Sequence, residues 1–187
     1  MKAWVKGIAL VLGMSMIAIL AGCGGSTESA ADPNHVQIFI MGKDGFPQEY
    51  ADQIGKNLQQ KLGNNMTVTV STTPVYSAEK LVLEYVDRTD DIVILPEADM
   101  KGYAVNGGHM VLDQDFDAKK YKEGVTKGAA DQNDTDAAKQ TEHLFAIPVS
   151  QMSSFKAIGY TGNDLYATIP IFANHDKAVK VLKALTD

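Results

Sequence analysis

Three short runs rich in β-branched residues, separated by two amphipathic helices, predict an α/β fold: a three-layer domain around a mainly parallel sheet. The runs are residues 36–41 (VQIFIM), 66–70 (MTVTV) and 92–95 (IVIL). The third is apolar throughout and stops at Pro96, the pattern of a strand buried on both faces of a parallel sheet. Strand, helix, strand, helix, strand reads as two successive βαβ units with right-handed crossovers.

The elements follow in order. After the first strand, Gly42-Lys43-Asp44-Gly45-Phe46-Pro47 forms a loop whose proline suits the first turn of a helix. That helix covers 47–62, with Tyr50, Ile54, Leu58 and Leu62 four residues apart and Gly63 as its C-cap. In the second strand threonines alternate with apolar residues. Ser77 opens a second helix with Ala78, Leu81, Val82, Tyr85 and Val86 on one face, and Asp90-Asp91 end it. Residues 100–108 suggest a short helix or turn. The stretch 117–141, rich in Lys, Asp, Ala and Asn, reads as a solvated helix and loop. Residues 143–149 (HLFAIPV), 155–160 (FKAIGY) and 165–171 (LYATIPI) read as three more strands. A terminal helix at 176–185 turns Ala178, Val179, Val181, Leu182 and Leu185 inward.

The N-terminal residues carry an address. Lys2 and Lys6 precede an apolar stretch at 8–20, and Leu20-Ala21-Gly22-Cys23 closes it with small residues and the one cysteine of the chain. This is a secretory layout. It is shorter than the roughly 20 consecutive apolar residues of a bilayer span, and Gly13 and Ser15 interrupt it. The tetrapeptide resembles the lipobox of bacterial lipoproteins, which implies removal of signal peptide 1–22 and diacylation of Cys23. Two acyl chains make anchoring durable. The expectation is therefore a protein held by lipid on the extracytoplasmic face of a cell membrane. Residues 23–34 form the lipidated cysteine and a small, polar tether, and 35–187 form the α/β domain.

Charge narrows the partners. The whole chain carries −6, and loss of Lys2 and Lys6 with the leader takes the balance to about −8. An acidic domain is a poor match for nucleic acid or for flat adsorption to anionic lipid, both of which need basic patches. With Cys23 acylated, no thiol remains for a disulfide, a metal site or a nucleophile. About 165 mature residues make one domain with a core of its own.

Several phrases resemble the extracellular solute-binding proteins of ABC importers, type II, over most of the mature chain. They are Asp91-Ile92-Val93-Ile94-Leu95, Gly108-His109-Met110-Val111-Leu112-Asp113, Phe145-Ala146-Ile147-Pro148-Val149, Ala167-Thr168-Ile169-Pro170 and the helix after Asn174. That family has two lobes, whereas here only 150–154 separate the strand ending at Val149 from the return segment. The resemblance implies a single periplasmic-binding-protein lobe, with a small-molecule ligand or a transporter permease as partner.

In open parallel sheets ligands sit beyond the carboxyl ends of the strands. Those ends offer Lys43, Asp44, Tyr76, Glu97, Asp99, Ser150 and Gln151 as candidate ligand-binding residues. The 42–45 loop lacks the GxxxxGK[ST] spacing of a phosphate loop, and Asp44 would repel an anion, so a tight turn explains it better. Glu97 and Asp99 are placed to hold a cation or sugar hydroxyls. His35, His109, His143 and His175 show no metal-ligand spacing, and 131–136 (DQNDTD) lacks the glycine and distal glutamate of an EF-hand. No GxSxG or other nucleophile motif occurs. The sequence thus reads as a binding domain without a cofactor, a metal or a catalytic residue. The alternative is an envelope lipoprotein that docks a protein and takes no small ligand.

Overall fold

The computed structural model describes residues 32–131, 136 and 139–187. Cys23, the leader and the tether up to residue 31 lie outside the described residues, as do 132–135 of the acidic stretch. The compact unit runs from Asn34 to Asp187.

Strand β1 (His35–Ile40) leads through the glycine loop to helix α1 (Gln48–Leu62) and strand β2 (Thr67–Thr72). Helix α2 (Ala78–Asp87) follows, its N-terminus capped by the Ser77 hydroxyl, which accepts from the Lys80 N–H. Strand β3 (Ile92–Pro96) is buried along its whole length and runs directly into α3 (Glu97–Val105). A hairpin of β4 (Val125–Gly128) and β5 (Thr141–Leu144) leads into β6 (Ala146–Pro148), the short helix α4 (Ser153–Ala157), β7 (Leu165–Thr168) and α5 (His175–Thr186).

The main sheet has the order β2-β1-β3-β7-β6, with β1 parallel to β2 and β3, and β7 antiparallel to both β3 and β6. Four of the five strands therefore point one way, the mainly parallel α/β sheet that the apolar runs predict. Alternation of side chains gives the sheet two faces. Val36, Ile38, Ile40, Ile92, Ile94, Ile147 and Ala167 pack with Ile54 and Leu58 of α1, Phe155 of α4 and Leu182 of α5. On the other face Phe39, Met41, Val93 and Leu95 meet Leu81 of α2 and Tyr103 of α3. Helices on both faces make the three layers.

Three expectations are corrected. Residues 155–160 do not form a strand, because 153–157 are helical and Phe155 stacks edge-on with Phe46 beneath the glycine loop. Residues 143–149 are not one strand. Phe145 breaks the run by donating its N–H to Gly124 O at 3.1 Å, so His143 belongs to the hairpin and Ala146 to the main sheet. The stretch 117–141 does contain a strand, β4, whose pairing with β5 no local pattern announces.

Candidate functional site

The connection from β1 to β2 runs to one side of β1 over one face of the sheet, and the connection from β2 to β3 crosses back past β1 over the opposite face. This reversal is the topological switch point of an open α/β sheet, the place beyond the carboxyl ends of β1 and β3 where such sheets take ligands.

Two stitched loops lie at this end of the sheet. Gly45 donates its N–H to Gly42 O at 3.0 Å, closing the turn that carries Lys43 and Asp44, both exposed. Gly45 has φ 79°, a left-handed conformation that suits glycine, and a Cβ there would run into the Pro74 carbonyl. Phe46 N–H reaches Thr73 O at 3.1 Å, while the Thr72 hydroxyl donates to Ile40 O at 2.9 Å. The loop after β1 is thus fixed to the loop after β2.

From this second loop Tyr76 donates its hydroxyl to Asp99 Oδ1 at 2.9 Å, joining the entry of α2 to the first turn of α3. Burial, and then the neighbouring Asp99 carboxylate, push the Tyr76 phenol up, so it stays protonated and able to donate. Glu97 sits in the same helical turn, where a carboxylate is favoured by the helix dipole. It pairs with Lys101 Nζ at 2.5 Å, one turn on. Tyr76 and Asp99 are therefore brought together, Glu97 is turned along its own helix, and Lys43 and Asp44 stand at the turn tip. Ser150 and Gln151 lie half-buried in the 3₁₀ turn Val149–Gln151 after β6.

Three further polar clusters occur among the described residues. Tyr85 Oη and His109 Nε2 meet at 2.6 Å, with Tyr103 stacked on Tyr85 at 3.9 Å and Phe172 edge-on. Complete burial pushes His109 down to about 3, so it is neutral and serves to clamp α2, α3 and the return segment. Asp90 is 1 % exposed and lies against Glu84, which pairs with Lys80. On the hairpin, His143 contacts both Asp113 and Thr141. In the sequence His143 stands apart from Asp113, thirty residues away; the only local signal is that Thr141 and His143 share one face of a strand.

A cavity of about 550 Å³ is lined not by the strand-end loops but by Asn57, Gln60 and Lys61 of α1, Ser153, Ser154 and Ala157 of α4, and Asp187. Lys61 Nζ already donates there to Ala184 O at 2.9 Å and lies near the two serine hydroxyls, so its charge is engaged by the helix ends.

No protein-family model and no curated protein matches the sequence. Among solved structures the chain is similar to an extracellular solute-binding protein family 1 from Alicyclobacillus acidocaldarius subsp. acidocaldarius DSM 446. Identity is 16 %, the match covers 61 % of this chain and 27 % of that one, and the TM-score is 0.42. It is similar also to a structure described as CpMnBP1 with mannotriose bound, at 16 % identity, 63 % and 28 % coverage and a TM-score of 0.42. The matched region spans about a quarter of the length of either structure.

Proposed function

We propose that this chain is a membrane-anchored lipoprotein. Its α/β domain recognises a small solute, or the transporter that carries it, through the loops at the carboxyl ends of β1, β2 and β3. The observation that carries the reading is the reversal of strand order at β1, with Tyr76 and Asp99 bonded at the strand ends where it occurs. A phenol and a carboxylate held in place suit hydroxyl or amine groups on a ligand, and the stitched glycine loop offers them a preorganised floor. The work of this face is binding rather than catalysis.

A second reading is a protein-docking lipoprotein that takes no small ligand. It is favoured by Val75 before α2 and by Val82, Leu83 and Val86 on it, which are 52–66 % exposed and give α2 an apolar outer flank. A thermal-shift screen of the chain from Gly24 onward against sugars, amino acids and divalent cations separates the two. A saturable rise in Tm supports solute capture, and no shift from any class supports docking.

The anchor has its own test. Cys23→Ser should move the protein from the membrane fraction to the soluble fraction almost completely and abolish its labelling by radioactive palmitate. Retention of the variant in membranes after a carbonate wash would show that something other than acylated Cys23 holds the chain there.

A further inference from the structure

The hairpin carries an arrangement that the binding reading does not use. Asp113 Oδ2 lies 2.5 Å from His143 Nδ1, and the other side of the ring, Nε2, lies 2.8 Å from the Thr141 hydroxyl oxygen. The second carboxylate oxygen, Oδ1, is fixed by the Leu144 N–H at 2.9 Å. A carboxylate on Nδ1 holds the proton there and leaves the Nε2 lone pair facing the hydroxyl. Hydroxyl, imidazole and carboxylate thus stand in the order and at the separations of a nucleophile, its base and the group that orients the base.

Access is compatible with chemistry. The His143 and Asp113 side chains are 28 % and 35 % exposed, and Thr141 is exposed. Opposite Thr141 in the hairpin register stands Gly128, so no side chain on the neighbouring strand covers the hydroxyl; opposite His143 stands Thr126. Lys127 and Glu142 face each other on the alternate side of the hairpin. The carboxylate that touches the ring is that of Asp113.

We propose that Thr141, His143 and Asp113 form an acyl-transfer site for small activated carboxylic esters. The Thr141 oxygen bonds to the ester carbonyl carbon while His143 Nε2 takes the hydroxyl proton. The bond from that carbon to the leaving oxygen then breaks, and the leaving alkoxide takes the proton from His143. Water releases the acyl group by the same route in reverse, so one ester and one water give one acid and one alcohol. Thr141 and His143 are the catalytic residues and Asp113 is a positioning residue. The open hairpin limits substrates to compact esters with good leaving groups.

The test uses the purified full chain with p-nitrophenyl acetate, following p-nitrophenolate release and locating the acetyl group by peptide mass spectrometry, with circular dichroism confirming that each variant is folded. The expected result is an acetyl group on Thr141, lost in the nearly isosteric Thr141→Val and retained in Thr141→Ser. Asp113→Asn should slow acylation by about a hundredfold and alter its pH profile, because the orienting acceptor on Nδ1 is weakened. Equal labelling of the parent and Thr141→Val, acetylation confined to lysines, or a rate and pH profile unchanged by Asp113→Asn would overturn the proposal. Its failure would leave solute binding at the strand ends untouched.

Discussion

Gly124→Ala should destabilise the domain by about 3–5 kcal/mol, among the largest effects expected of any single substitution. Gly124 donates its N–H to Tyr121 O at 2.8 Å and accepts from the Phe145 N–H at 3.1 Å, so it sits against the point where the chain leaves the hairpin and enters the main sheet. A Cβ at this position would fall inside the Ala146 carbonyl and close to the Leu144 side chain. Neither neighbour can yield, since Leu144, Phe145 and Ala146 are all fully buried. A chemical denaturation curve measures the loss directly, and a fall in Tm of about 10 °C should accompany it. A change below about 1 kcal/mol would mean that the hairpin does not press on β6 as described.

The second large effect is electrostatic. Both oxygens of Asp90 are buried without a donor, and the group beside them is the Glu84 carboxylate. Two carboxylates in contact hold together only with a proton between them. Burial first, and then Glu84, raise Asp90 from the ordinary carboxylate range to about 8, while Lys80 opposes the shift. The folded protein therefore binds a proton that the unfolded chain releases near pH 4. By linkage, stability is greatest below that pH, falls as pH rises toward about 8, and is flat in this respect above it. Asp90→Asn keeps the shape, supplies an N–H to Glu84 and removes the titration. It should add about 2–4 kcal/mol at pH 7, and urea unfolding at pH 5, 7 and 9 should show a much shallower dependence than in the parent. Equal pH slopes in the two proteins would remove Asp90 as the titrating group.

These two positions show what the sequence made legible. Strands β1 and β3 and helices α1 and α5 could be read because their apolar spacing matches their final burial, and because Ser77 and Asn174 cap helices where sequence grammar places caps. Strand direction by itself says at which end of the sheet the candidate site is to be sought. Residues 155–160 misled because aromatic and β-branched composition resembles a strand, although Met152, Phe155 and Ile158 at intervals of three carry the helical signal. Strand β4 and the break at Phe145 depend on Gly124 meeting Ala146 across 22 positions, which no local pattern encodes. The contact of Asp113 with His143 and the burial of Asp90 against Glu84 are likewise products of the fold.

The central claim is that solute is taken at the carboxyl ends of the strands. The most direct measurement is amide hydrogen exchange on the chain from Gly24 onward, with and without the sugar, amino acid or cation that gives the largest thermal shift. The account predicts a rise in Tm of about 5 °C or more at a hundredfold excess over Kd, with new protection in 41–46, 72–76 and 96–99. Protection confined to the 57–61 and 153–157 cavity, or no shift from any solute class, would contradict it.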